Sequence, residues 1–580
     1  MTHLAAAPEL IAVIVRLRQA LVDNPLPTEA PGAAAVRLER DQLMNQLDDY
    51  ILPRLVQLEA PLLAVVGGST GAGKSTLVNT LIGKHVTQSG VLRPTTRSPV
   101  LVHHPDDVHW FGADRLLPEL TRTTSPAHDQ DTLQLVATDG LPAGIAIIDA
   151  PDVDSVEERN RTLAAQLLAA ADLWLFVTSA ARYADQVPWQ SLKSAAERGA
   201  AVAMVLDRTT PVAVREVSGH LSRMLSSRGL GDARLFTVPQ TEVDKVGLLP
   251  DQAVQPIREW LASLAADSAA RSRVIRKTLD GTVASLGHRT RSIAEALRTQ
   301  EQSNAQLRAQ VQQLYADHLE TTLAACRQGS LLQGQLWALW QEFERSGELM
   351  RGVEDKTGRL RDRLVDTARH HRQPVGRLEA GVEQQLAAFL VERVRAAAEQ
   401  VEAQWRQTDA GPALLGLMPG DSESAPSGRD AAVANLARPS ADIEERARDA
   451  VARWLATVLE SVRAEGSDRQ ATSRFLRYGV QSLAVALAVS ALDLERALAG
   501  QSRVATARRV LGGVFGSQTF ERLANTAADN LGSQIQELWR DEERKFFDVL
   551  EQTHVGEGAA ERLVTLSREV DDTRWAVTGA

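Results

Sequence analysis

Gly68-Ser69-Thr70-Gly71-Ala72-Gly73-Lys74-Ser75 has the spacing G-x-x-x-x-G-K-[ST] of a loop that holds phosphate. Backbone N–H groups converge on phosphate oxygens only where no side chain intrudes, hence Gly68, Gly71 and Gly73. Lys74 is placed to reach the β- and γ-phosphates, and the Ser75 hydroxyl is placed as a ligand for Mg²⁺. The candidate nucleotide-binding stretch therefore runs from Gly68 through Thr76. Its context fits. The apolar run Leu62–Val66 precedes it as a buried strand, and Val78, Leu81 and Ile82 follow with helical spacing. A helix N-terminus at that point adds partial positive charge.

These residues need a sheet to hold them, and the surrounding chain provides one. From Pro61, strand and helix patterns alternate. The expected strands are Leu62–Val66, Val100–His103, Leu133–Thr138, Ile145–Asp149, Leu173–Thr178, Ala201–Leu206 and Arg234–Val238. Helical stretches such as Asn160–Ala171 and Trp189–Arg198 separate them. That alternation implies an α/β domain with a mainly parallel sheet over residues 61–265. Residues 1–60 read as N-terminal helices that need a helical partner further along the chain to bury their apolar stripe. Residues 266–407 and 441–580 read as two parts of a long helical stalk or bundle, with coiled-coil character, separated by a Gly-, Pro- and Ser-rich linker at 408–440.

Composition narrows the function classes. The chain has 580 residues, enough for more than one domain, and 44% of them are hydrophobic, enough for real cores. A net charge of −10 argues against a nucleic-acid-binding protein, so no nucleic-acid partner is expected. The single cysteine, Cys326, excludes a disulfide framework and a Cys-based metal site within one chain, and a buried inert thiol is expected. The opening residues MTHLAAAPELIAVIVRLRQAL lack a basic region ahead of their apolar part, so a secretory signal is not expected and the location reads as cytoplasmic. Tyr478–Leu492 is the most apolar segment, and it is shorter than the ~20 residues that a spanning helix needs. Two readings stand for it. One is a buried or interfacial helix, which its length favours. The other is a membrane-touching tip at 478–516, with Arg503, Arg508 and Arg509 facing anionic lipid on the inner face of the cell membrane.

Three further segments carry a resemblance. Gly90–Pro99 reads GVLRPTTRSP, Ile145–Asp152 reads IAIIDAPD, and Val202–Thr210 reads VAMVLDRTT. Together with the phosphate loop, these resemble the dynamin-like and Era-like branch of P-loop GTPases. Gly334–Leu364 and Val514–Leu531 look like the helical region of the dynamin-like GTPases of actinobacteria. The resemblance implies GTP and Mg²⁺ as ligands, and hydrolysis coupled to self-association through the GTPase domain and the helices. It implies that Thr96, with Thr95 as the alternative, completes Mg²⁺ coordination and senses the γ-phosphate. It also implies that Asp149 stands in the outer shell of the metal, and that Asp207 and Arg208 occupy the Asn/Thr and Lys places of the guanine-reading motif.

The departures from the family pattern matter as much. Asp152 replaces the glycine of D-x-P-G, whose N–H contacts the γ-phosphate. Thr210 replaces the base-reading aspartate, and a hydroxyl cannot accept the paired hydrogen bonds that a carboxylate takes from guanine, so ATP is not excluded. Val153 cannot orient a water, and Gly71 offers no cation-binding side chain. Slow basal hydrolysis is therefore expected, with Lys74, Thr96 and Thr70 as the catalytic candidates. Self-association or a partner would raise the rate, with Thr70, Asp154 or Arg97 as the residue contributed in trans. The competing reading is a cytoplasmic nucleotide-dependent switch or scaffold with little turnover.

Overall fold

The computed structural model describes residues 7–27, 30–87, 98–113, 115–127, 129–155, 157–346, 372–415, 436, 438–466 and 479–578. The chain divides into two compact units. The first comprises Met1–Leu26, Gly32–Thr299 and Val555–Ala580, and the second is built on Gln300–His554.

At the heart of the first unit lies a sheet of eight strands among the described residues. They are β1 (Leu62–Gly68), β2 (Val100–His103), β3 (Thr121–Thr123), β4 (Thr132–Ala137), β5 (Ile145–Asp149), β6 (Leu173–Ser179), β7 (Ala201–Thr209) and β8 (Arg234–Pro239). Their order is β3-β4-β2-β5-β1-β6-β7-β8. Every neighbouring pair is parallel except β2 and β5. All seven expected strands are present. The eighth, β3, is a three-residue edge strand.

β1 is buried along its whole length, and its side chains alternate between two cores. Leu63 and Val65 pack with Leu163, Leu167 and Trp174 on one face. Leu62, Ala64 and Val66 pack on the other face with Val78 and Leu81 of the Lys74–Ile82 helix and with Val254, Ile257 and Leu261 of the Asp251–Ala266 helix. The phosphate loop therefore leaves the carboxyl end of a central strand locked on both sides. This is where open α/β sheets place their ligands.

Two helices far apart in sequence meet in this unit. The Ala7–Asp23 helix buries Leu10, Ile14, Leu17 and Leu21 in the same core as Ala560, Leu563 and Val570 of the Ala559–Thr578 helix. Arg16 donates to Glu569 at 2.8 Å across this pairing. A buried ion pair fixes the following helical segment to the sheet. The Arg54 guanidinium donates to both carboxylate oxygens of Asp172, at 2.9 Å from Nε, and to the Pro61 carbonyl at 2.7 Å. Asp172 also accepts from the Tyr50 hydroxyl at 3.0 Å and from the Leu63 N–H at 2.8 Å. Arg54 and Asp172 are 1% and 0% exposed, so the charges depend on each other and on these donors.

The second unit is helical. Its core joins Trp340 and Phe343 of Gly334–Arg345, Leu386 and Trp405 of Arg372–Trp405, Trp454 of Ile443–Gly466, and Ile535 and Phe546 of Ser517–Gln552. The Val480–Ala491 helix sits within that core, with every residue from Ser482 to Ala491 buried. A helix that is apolar all round belongs in a core, and the structure places it there rather than at an exposed tip. Arg503 donates to the Leu332 carbonyl at 2.9 Å, and Arg508 reaches Glu521 at 3.5 Å. No helix of the described residues is long and apolar enough to cross a membrane. Cys326 is buried, which pushes its thiol up to about 12 and makes it inert. Leu414 and Leu415 of the expected linker join the core, whereas residues 416–435 lie outside the described residues.

Candidate functional site

Glycine is required at two points of the loop by its surroundings. Gly68 has φ 148°, and a Cβ there would run into the Val177 carbonyl of β6. Gly73 has φ 92°, and a Cβ there would run into the carboxylate of Asp207. The second constraint shows that the Asp207 end of β7 is stacked against the phosphate loop. Immediately after Gly73 the Lys74–Ile82 helix begins, so its free N–H groups lie at the loop.

Lys74 is 6% exposed, and its ammonium donates to the Gly68 and Ser69 carbonyls at 3.3 and 3.2 Å. The third partner is the carboxylate of Asp152. A second carboxylate from the same segment, that of Asp154, accepts from the Thr70 N–H at 2.6 Å and from the Thr70 hydroxyl at 2.8 Å. Thr70 and Asp154, expected as residues acting on another molecule, thus pair within one chain. Arg182 completes the cluster, reaching the Thr70 carbonyl at 3.2 Å and Asp154 at 3.3 Å. Nothing in the sequence near Arg182 flags it, because it lies in the turn after β6 and meets the loop only through sheet topology.

Asp149 ends β5 beside the loop and is wholly buried, and neither carboxylate oxygen has a hydrogen-bond partner among the described residues. Burial raises its pKa, while the Ser75 and Thr87 hydroxyls and the Lys74 charge favour the ionised form. An orphaned buried carboxylate next to Ser75 is the donor set that a Mg²⁺ ion and its waters would satisfy, so the residues present fit the metal. Thr95, Thr96 and Arg97 lie outside the described residues.

On the base side, burial raises the Asp207 pKa, and the backbone N–H and charge of Arg208 oppose the rise. Arg208 takes a left-handed conformation, φ 57°, with its side chain 60% exposed. The Thr209 hydroxyl is committed to the Val238 carbonyl at 3.0 Å. His103, at the end of β2, is buried, its Nδ1 donating to the His104 carbonyl at 2.8 Å and its ring packed on Phe111.

Residues 63–208 match the family model described as 50S ribosome-binding GTPase. That span contains the phosphate loop, Asp149, Asp152, Asp154, Arg182, Asp207 and Arg208. Residues 63–208 are therefore similar to a GTPase domain of that family. A curated relative, the probable transmembrane GTPase FZO-like, chloroplastic, of Arabidopsis thaliana, is 25% identical over 181 residues. The match covers 27% of this chain and 19% of that protein, so the chain corresponds to about a fifth of the relative's length. Among solved structures, one from an oligomerised bacterial dynamin pair, described as sensing and tethering membranes, is 12% identical with a TM-score of 0.41, covering 97% of this chain and 95% of that one. Era in complex with MgGDPNP and part of 16S ribosomal RNA is 16% identical with a TM-score of 0.23, covering 35% of this chain and 57% of its own.

Proposed function

We propose that the chain binds GTP with Mg²⁺ and hydrolyses it slowly, and that self-association through the GTPase domain and helices raises the rate. The observation that carries this reading is the pairing of a glycine-constrained phosphate loop with the buried, unpartnered Asp149 beside Ser75. Ser75 and Asp149 would hold the metal, with Thr96 as the third candidate, and the metal would neutralise charge on the phosphates. Gly68–Thr76 would cradle the phosphates through backbone N–H groups. Asp207, which lies against Gly73, and Arg208, whose side chain is largely exposed, would line the base, with Arg208 stacking on it. No carboxylate at Thr210 reads guanine, so the preference for GTP over ATP is expected to be weaker than in a chain with aspartate there.

Slow turnover follows from Val153, which is buried at 6% exposure where a water-positioning side chain would be needed. The same residue favours a second reading, a nucleotide-dependent switch with negligible hydrolysis. Association with an anionic membrane face is also part of the proposal, supported by the transmembrane GTPase that the chain resembles. The deciding experiment compares GTP and ATP binding and hydrolysis across protein concentration, with Lys74→Ala as the control. A Lys74-dependent affinity for GTP and a specific activity that climbs with concentration support the first reading. Flat, near-zero turnover supports the switch, and equal affinity for both triphosphates removes the guanine assignment. Flotation with anionic vesicles tests the membrane part, which fails if no vesicle binding occurs with or without nucleotide.

A further inference from the structure

The loop's donors are already engaged by this chain's own carboxylates. An ammonium has three N–H donors. Those of Lys74 go to the Gly68 carbonyl, the Ser69 carbonyl and Asp152. A phosphate oxygen can therefore reach Nζ only at the position that the Asp152 carboxylate holds. The segment bearing that carboxylate is tied across the loop, because the Val153 N–H donates to the Gly68 carbonyl at 3.3 Å and Asp154 holds Thr70.

We infer that Asp152 is a tethered competitor for the γ-phosphate and sets a preference for the diphosphate over the triphosphate. This inference rests on the GTP-binding reading. When nucleotide binds, the carboxylate has two courses. It can stay, and then it faces the γ-phosphate beside Lys74, where like charges repel. Alternatively it swings outward, and the ion pair with a lysine that is only 6% exposed is lost. The first course penalises a triphosphate more than a diphosphate, because the γ-phosphate brings the extra charge to the Asp152 side of Lys74, and the second is the way that charge is relieved. A glycine at this position would impose neither cost.

The test measures dissociation constants for GDP and for a non-hydrolysable GTP analogue, both with Mg²⁺, on the full chain. Wild type is compared with Asp152→Asn, which removes charge at constant shape, and with Asp152→Gly, which removes the side chain. Thermal unfolding of each variant establishes that it is folded, and either variant alone suffices. The expected result is a shift of about tenfold or more in the ratio of the two constants toward the triphosphate. An unchanged ratio overturns the inference, whether both affinities stay or both move together, and so does a shift toward GDP. Wild type that binds neither nucleotide, indistinguishable from Lys74→Ala, overturns the GTP-binding reading together with the inference. GDP binding with an unmoved ratio overturns the inference alone.

Discussion

Replacing Arg54 by methionine keeps the length of the side chain and deletes its charge. Asp172 then remains wholly buried, with the Tyr50 hydroxyl and the Leu63 N–H as its surviving donors, while the Pro61 carbonyl loses its guanidinium partner. Removing one member of a buried pair costs about 3–5 kcal/mol. The two surviving neutral donors place the expected loss near the lower end, about 3 kcal/mol, or roughly a hundredfold in the opening equilibrium. A melt of the whole chain would mix two compact units, so it is the wrong assay. Hydrogen exchange read by mass spectrometry separates them. Peptides covering β1 and β6 should exchange roughly a hundredfold faster in Arg54→Met. Peptides from Arg372–Trp405, in the other unit, serve as the internal control. Adding Asp172→Asn should restore much of the protection, because the amide no longer carries an unpaired charge. Exchange of β1 and β6 within about threefold of wild type would refute the reasoning and show that the pair contributes little to stability.

Two further outcomes are expected. Arg182→Ala releases the Thr70 carbonyl and Asp154. Steady-state GTP turnover should fall several-fold while the thermal midpoint barely moves, since the guanidinium is partly exposed, and Arg182→Lys should restore part of the rate; unchanged turnover would remove Arg182 as a positioning residue. Asp49→Asn concerns pH. Burial, opposed by the Gln166 hydrogen bond and reinforced by Glu119 and Asp48, pushes Asp49 up to about 6 from 3.8. The native state therefore binds more protons than the unfolded state between these values, and this group's contribution is full below about pH 4 and lost as pH rises through about 6. The variant should be more stable than wild type at pH 7, by at most about 3 kcal/mol, and equal to it near pH 4; denaturation of the first unit followed by exchange at both pH values checks this.

Local signals made the phosphate loop and the sheet legible in the sequence. Leu62–Val66 is a continuous apolar run, and Gly68 and Gly73 stand where Val177 and Asp207 leave no space for a side chain. The strand β3 was not legible, because Thr121–Thr123 has no apolar alternation and buries no residue fully at its edge position. Nor was the antiparallel pairing of β2 with β5, which only the assembled register shows. Within the site, the oddity of Asp152 was visible as a missing glycine, but its grip on Lys74 was not, since 78 residues separate them. Arg182, 112 residues from Thr70, had no local pattern at all. The apolar segment 478–492 was ambiguous because hydrophobicity alone does not distinguish a lipid face from a protein core. Ser482–Ala491 shows which one this chain provides.

The pairing of Ala7–Asp23 with Ala559–Thr578 sets a timetable for biosynthesis. More than 500 residues must be translated between the two helices, which takes roughly half a minute to two minutes at ~5–20 residues per second. Throughout that interval Leu10, Ile14, Leu17 and Leu21 lack the partner helix that covers them in the finished molecule. The first helix of the nucleotide unit thus waits on the ribosome for the helix that covers it, which gives chaperones a long window on an uncovered apolar stripe.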